Sequence, residues 1–415
     1  MAHKPRPWKA PSLSWGQVAA LTWAICLAVL VAQAAIAEQR PLTIFVVASL
    51  CILAVWLTLR PGRMGGLVAI ICGIVGVTVG TVFGPGHMVW SGGSWRVAAG
   101  LLLLISGVVL LVSGIRRSAA GPARGRRLLA GTSLAFVAAV AIWTLTPAAL
   151  ATNPPHIPSG ATRPESVGLA VRDVRYTAGD GTQLGAWYVP STNGAVVVLR
   201  HGAGSTGADV LSHAAVFARH GYGVLITDAR GHGRSDGRGM EFGWYGDADI
   251  AAALTFLVEQ PEVDPALIAV LGLSMGGEEA LGAMSGDGRI AAVVAEGATA
   301  RVSSDKAWLP DIYGWRGSIQ VALEHIQYWV TDHLTAASPP ISLAESVRLA
   351  APRPVLLITA GNVADEGHAA FYIKSRSAEN VTIWNIPDAG HIQGMAVSSA
   401  LWEETVVGFL DAALK

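Results

Sequence analysis

Apolar residues follow two regimes along this chain. Up to residue 150 they form long unbroken runs; beyond it they come in short runs separated by polar and glycine-rich turns. Five early runs, 16–37, 42–59, 64–83, 97–115 and 128–150, approach the length of about 20 residues that carries a helix across a bilayer. None contains Lys, Arg, Asp or Glu, so no ion path or proton relay is expected in them. The pattern predicts a transmembrane domain of about five helices over 1–150. The third run carries Gly76, Gly80 and Gly84 on one face. That spacing lets another helix approach closely, and packing within the bundle is the expected use.

A segment over 151–165 follows, with Pro154, Pro155, Pro158 and Pro164. It reads as a semi-rigid extended linker. The remaining roughly 250 residues suit one domain over 166–415. Residues 171–177 and 183–189 alternate like a hairpin. The continuous apolar run at 195–199 reads as a strand buried on both faces, and 223–227, 267–271, 290–295, 355–359 and 381–386 read as further strands. Helical patterns occupy 208–220, 247–259, 277–284 and 399–414. Alternating strands and helices predict an α/β domain, with a mostly parallel sheet covered by helices on both faces, preceded by an all-α transmembrane bundle.

Charge sharpens this division. The chain has 415 residues, 52% of them hydrophobic and 14% charged, with no net charge. Up to residue 150 there are 12 basic residues and one acidic residue, Glu38; after it there are 17 basic and 28 acidic. A membrane part and an acidic soluble part are expected, and the acidic part argues against a nucleic-acid partner. Lys4, Arg6 and Lys9 precede the first run, Arg60 and Arg63 follow the second, and Arg116, Arg117, Arg124, Arg126 and Arg127 follow the fourth. The alternate loops carry only Arg40 and Arg96. The Arg-rich set belongs on the cytoplasmic side. Five crossings then put the C-terminal domain on the extracytoplasmic side of the plasma membrane. Ala35-Ile36-Ala37 resembles a signal-peptide cleavage site, but the long run argues for an uncleaved helix, and cleavage would leave the domain outside as well. Cys26, Cys51 and Cys72 all lie in apolar runs and read as small apolar residues in lipid.

The candidate chemistry lies in the C-terminal domain. Gly272-Leu273-Ser274-Met275-Gly276 joins a buried strand to a helix, where Gly272 and Gly276 permit a tight turn that projects Ser274 as a nucleophile. A serine hydroxyl needs a base, and His391, after the last strand, is the best placed. The orienting acid should follow the 355–359 strand. Asp365 is the choice, with Glu366 the alternative and Glu296, after the 290–295 strand, a third candidate. An oxyanion would be held by backbone N–H groups of Met275 and Ala203, the latter in His201-Gly202-Ala203-Gly204. His201 and Gly202 read as supporting residues. No metal or organic cofactor is implied.

These motifs, with Asp228-Ala229-Arg230-Gly231-His232-Gly233-Arg234-Ser235 and Ala389-Gly390-His391, resemble the α/β-hydrolase superfamily from about residue 168 to 415. Dienelactone-hydrolase-like and prolyl-oligopeptidase-like domains are the most similar. The resemblance implies the α/β-hydrolase fold and supporting roles for Asp228 and His232. It also implies a lid-like function for the insertion near 303–346, which holds Trp308, Tyr313, Trp315, Tyr328 and Trp329. These aromatic residues would line an acyl pocket, touch the bilayer surface or pack a small cap. The usual acid segment reads Gly-x-x-Asp followed by Pro; here Asp365 stands one place later without that Pro, which keeps Glu366 open.

A membrane-anchored serine hydrolase acting on carboxylic esters or related acyl bonds through an acyl-enzyme is therefore expected. Its partners would be a small-molecule or lipid acyl substrate and membrane lipids. A serine peptidase and an envelope or lipid acyltransferase would use the same residues, and a non-catalytic membrane scaffold would use none of them.

Overall fold

The computed structural model describes residues 13–37, 41–91, 93–121, 123–377 and 379–414. Lys4, Arg6, Lys9, Glu38 and Arg40 lie outside them. The chain divides into two compact units, Met1–Ala149 and Leu150–Lys415.

The first unit is helical: α1 (Trp15–Ala37), α2 (Pro41–Thr58), α3 (Gly62–Thr81), α4 (His87–Ser91), α5 (Trp95–Ser118) and α6 (Arg124–Thr152, ending in the second unit). The third apolar run does not stop at residue 83 as expected. It continues through a π turn, Val82–Gly86, into α4. Pro85 lies in that turn and cannot donate a backbone hydrogen bond, a recognised cause of local irregularity. Among the described residues, four helical stretches are long and apolar enough to cross a membrane, while Leu42–Thr58 is a shorter apolar helix. The glycine ladder packs α3 on α5. A Cβ at Gly76 would lie 2.8 Å from the Gly107 Cα, and one at Gly80 would lie 2.4 Å from the Leu104 backbone nitrogen. Glycines thus line the α3–α5 contact beside the buried Trp23, Leu103 and Leu110, whereas Phe45, Ile52, Phe136 and Trp143 face outward with 70–77% of their surface exposed. A water-soluble bundle shows the reverse arrangement.

The second unit is built on eight strands: β1 (Arg172–Thr177), β2 (Gln183–Val189), β3 (Val196–Arg200), β4 (Gly223–Thr227), β5 (Ile268–Leu273), β6 (Ile290–Glu296), β7 (Val355–Ala360) and β8 (Val381–Ile386). Their order in the sheet is β1-β2-β4-β3-β5-β6-β7-β8. β2 runs antiparallel to both neighbours, and all pairs from β4 to β8 are parallel. The helices are α7 (Leu211–Arg219), α8 (Gly246–Val258), α9 (Met275–Gly286), α10 (Leu309–Tyr313), α11 (Trp315–Leu334), α12 (Leu343–Ala350), α13 (Ala364–Ser375), α14 (Gly394–Val397) and α15 (Ser399–Leu414). Two apolar cores form, one on each face of the sheet. This is why β3 to β7 read as unbroken apolar runs: side chains alternate between two faces that are both dry.

The proline-rich stretch is not a free spacer. Ile157 is buried and forms a bridge to His232, its N–H donates to the Gly231 carbonyl at 3.0 Å, and Pro164 is buried. Proline favours an extended backbone, but such a backbone can still dock on a neighbouring loop, and here it does.

One buried ion pair holds the centre of the sheet to the helix beside it. Arg200, at the end of β3, donates through Nε (2.8 Å) and Nη2 (2.5 Å) to Glu279 Oε2 on α9, and its Nη1 donates to Thr227 Oγ1. Both members of the pair are almost fully buried. Removing one strands the other's charge, which costs about 3–5 kcal/mol. Glu279→Leu should therefore lower the unfolding midpoint of the detergent-solubilised chain by roughly 10 °C in calorimetry. Adding Arg200→Met should recover part of that loss; a single variant as stable as wild type would remove the pair from the structural argument.

Candidate active site

Ser274 stands between β5 and α9 with φ 52° and ψ −122°. A non-glycine residue rarely adopts a positive φ, and the surroundings must enforce it. They do so by leaving no room. A Cβ at Gly272 would lie 2.0 Å from the Gly276 carbonyl oxygen, and one at Gly276 would lie 2.6 Å from the carbonyl oxygens of Arg200 and His201. The Ser274 N–H donates to the Glu296 carbonyl at 2.7 Å, tying the turn to β6.

His391 follows β8 and reaches back to the same point. Its Nε2 lies 2.8 Å from Ser274 Oγ, and its Nδ1 lies 2.7 Å from Glu366 Oε1. With Nδ1 protonated and donating to Glu366, Nε2 is free to accept the serine proton. Glu366 is buried, and its Oε2 accepts the Ala360 N–H at 2.8 Å. Bonding to this carboxylate raises the His391 pKa above the ordinary histidine value, against the opposing effect of partial burial. Gly297, after β6, makes room for the imidazole: a Cβ there would lie 2.9 Å from His391 Cε1. Ile392 beside it also has a positive φ of 52°, so two non-glycine residues with this backbone flank the same hydrogen-bonded line.

The first-choice acid, Asp365, is not the one that meets His391. Its side chain is exposed and accepts from the Tyr313 hydroxyl at 2.6 Å. Asp365 and Glu366 both lie in the first turn of α13, and one step along a helix turns a side chain by about 100°. That rotation sends Asp365 outward and Glu366 onto the face that buries Ala369, Ala370 and Ile373. Glu296 is not placed on His391 either. Its two oxygens accept from the Gly394 N–H (2.8 Å) and the Trp402 indole (3.0 Å). It ties the segment just after His391 to α15, a tertiary arrangement that the residue's place after a strand does not reveal.

The supporting residues form a second network. His201 Nε2 accepts the Ala229 N–H at 2.9 Å, and burial pushes its pKa down to about 3. It is a neutral brace between the β3 and β4 loops. Asp228 accepts from the Gly207 N–H (2.7 Å), the Arg234 N–H (3.0 Å) and Arg234 Nε (2.7 Å). His232 Nδ1 bonds the Arg230 carbonyl. Gly202 brings its loop against the nucleophile: a Cβ there would lie 3.3 Å from the Ser274 Cβ. Ala203 follows it on an exposed turn, and Met275 opens α9, where first-turn N–H groups lack helical partners. Glu278, one turn along α9, accepts from the N–H groups of Thr299 (3.0 Å) and Ala300 (2.9 Å), which shapes the loop after β6. Among the described residues no group of three or more His, Cys, Asp or Glu side chains is placed to hold a metal ion.

Parts of this chain are similar to known proteins. Residues 191–347 match the family model described as serine aminopeptidase, S33. An esterase of Pyrococcus furiosus superposes with a TM-score of 0.50 at 23% identity, covering 63% of this chain and 98% of the esterase. The C-terminal unit has the α/β-hydrolase fold. An uncharacterized protein of Mycobacterium tuberculosis is 42% identical over 135 residues, 31% of this chain and 46% of that protein. The thiohydrolase aneE of Aspergillus aculeatus is 31% identical over 151 residues, 34% of this chain and 45% of its own. The chain thus spans about half the length of the curated relatives it matches. Within the α/β-hydrolase fold, the Ser274 turn lies at the C-terminal end of a central parallel strand, where open α/β sheets place their ligands.

Proposed function

We propose that this chain is an integral membrane serine hydrolase that cleaves carboxylic esters or related acyl bonds through an acyl-enzyme. One observation carries the reading: the continuous line from Ser274 Oγ to His391 and on to Glu366, at 2.8 and 2.7 Å. These are the contacts that activate a serine and hold its base in the correct tautomer. His391 Nε2 takes the hydroxyl proton as Oγ attacks the carbonyl carbon. The N–H groups of Met275 and Ala203 receive the oxyanion. His391 then returns the proton to the leaving alcohol or thiol as its bond to the acyl carbon breaks. Water repeats the sequence, freeing the acid and restoring the serine. Asp365 has no part in this route, and Glu296 acts only by positioning.

The substrate class is a small-molecule or lipid acyl compound. A thiohydrolase among the relatives supports a thioester as one acceptable acyl bond. The S33 match favours a second reading, an aminopeptidase. Aryl esters of rising chain length, matching thioesters and aminoacyl anilides, offered to wild type and Ser274→Ala, separate the two. Serine-dependent turnover of esters or thioesters over anilides is expected; anilide turnover alone would favour the peptidase.

The outward-facing apolar side chains of the first unit and its long apolar helices support membrane anchoring. α2, at 18 residues, spans about 27 Å, close to the hydrocarbon thickness of a plasma membrane. With α1, α2, the stretch from α3 to α4, α5 and α6 all crossing, and the Arg-bearing loops in the cytoplasm, the hydrolase domain lies on the extracytoplasmic side. A periplasm-active reporter fused at Lys415 should be active there; activity of a cytoplasm-only reporter would overturn this orientation.

A further inference from the structure

The long helix of the insertion is inside out. On α11 the buried residues are Gly317, Glu324, Tyr328 and Thr331, a face dominated by small and polar groups. Glu324 on that face accepts from Gln320 and pairs with Lys306 at 2.9 Å. The opposite face carries Trp315, Ile319, Ala322, Ile326 and Trp329, spaced i, i+4, i+7, i+11 and i+14. At 100° per residue these five fall within an arc of about 80°. All five are exposed, Trp315 at 70% and Trp329 at 63%. The two indoles alone present on the order of 300 Å² of mostly apolar surface. With the three aliphatic side chains between them they form one continuous patch, of the size that is often a functional surface.

We propose that this face of α11 docks in the interfacial layer of the bilayer that anchors the chain. The proposal rests on the membrane-anchored reading above, and two features of the chain point to lipid as the occupant. First, α6 ends at Thr152, and Ile157 is already docked on the hydrolase domain. The four residues between, five Cα-to-Cα steps, can reach at most about 18 Å, so the domain never leaves the vicinity of the membrane. An apolar face held there meets lipid at a high effective concentration without any second protein. Second, the stripe carries no Lys, Arg, Asp or Glu, continues into the exposed His333 packed on the Trp329 ring, and has an indole near each end, and tryptophan is the side chain that settles at the membrane–water boundary. The helix lies in the plane of the interface with its apolar side down.

The test uses the full chain in phosphatidylcholine–phosphatidylglycerol vesicles, with Cys26, Cys51 and Cys72 changed to Ala. An NBD label is placed at Ile326→Cys, or at Glu404→Cys on the exposed side of α15 as the reference. Lipids bearing a nitroxide high on the acyl chain should quench label 326 by about half and label 404 by about a tenth. Adding Trp315→Ser and Trp329→Ser should abolish the excess quenching at 326 and leave turnover of a soluble acetate ester unchanged. Quenching at 326 no greater than at 404 overturns the proposal. So does a blue-shifted but unquenched label at 326 with cross-linked dimers, which would assign the face to a second copy. Carbonate extraction is read on the same vesicles: release of the chain would reject membrane anchoring itself, whereas retention without quenching rejects only the docking of α11.

Discussion

Ser274→Ala should abolish labelling by a fluorophosphonate probe and lower ester turnover by about 10⁴–10⁶-fold. The size of the effect follows from the geometry. Ser274 Oγ is the atom that His391 Nε2 faces at 2.8 Å, and its φ of 52° exposes it at the end of β5. Alanine keeps the backbone turn and removes the only atom that can carry the acyl group. The fold should persist, because the restraints on this turn come from Gly272, Gly276 and the bond from the residue 274 N–H to the Glu296 carbonyl. An equal melting temperature beside lost turnover is therefore the expected pair of results. Retained labelling or turnover in the variant would move the nucleophile to another residue.

The second large effect separates two adjacent carboxylates. Glu366→Gln should lower kcat by about 10³–10⁴-fold with KM nearly unchanged. Glutamine offers an N–H₂ group in place of one carboxylate oxygen, so it no longer enforces the tautomer in which His391 Nε2 accepts a proton. It also removes the charge that raises the His391 pKa. The pH profile gives an independent readout. His391 must be neutral to act as a base, so activity falls as pH drops through its pKa. In wild type the acid limb of kcat/KM should lie above the ordinary histidine value near 6.5, and residual activity in Glu366→Gln should show that limb shifted to lower pH. Asp365→Asn should leave kcat and the limb within about twofold of wild type, since an exposed contact to Tyr313 is all that it changes. A collapse in Asp365→Asn with a healthy Glu366→Gln would reverse the assignment.

The choice between these carboxylates is instructive because part of its signal is in the sequence. Glu366, Ala369, Ala370 and Ile373 are spaced i, i+3, i+4 and i+7, which marks one face of a helix. Reading 361–366 as a loop hides that spacing and makes the nearer Asp365 attractive by analogy with the usual acid segment. The other departures have a similar origin. The proline-rich stretch reads as a spacer because composition describes backbone stiffness, and only the loop at Gly231 and His232 gives it something to dock against. The third apolar run extends through Pro85 because a π turn accommodates the proline. Aromatic residues in the insertion read equally well as pocket, cap or surface, since a helix at period 3.6 has a polar and an apolar side whichever of them is buried.

Sequence alone determined the broad order of this protein. Long uncharged runs favour helices, whose backbone hydrogen bonds are made within the segment, and short runs between turns favour strands of a covered sheet. The strand-to-helix pentapeptide, the glycine turn after β3 and the histidine after β8 are local features that survive without coordinates. Tertiary structure decided the rest, because the remaining questions concern residues far apart in the chain. Which carboxylate meets His391 depends on the rotation of α13 against β7. Whether Glu296 serves the serine or the histidine segment depends on where Gly394 and Trp402 fall. Which face of α11 is exposed depends on Lys306 and the aromatic cluster beneath it. None of these is a periodicity; each is the outcome of packing.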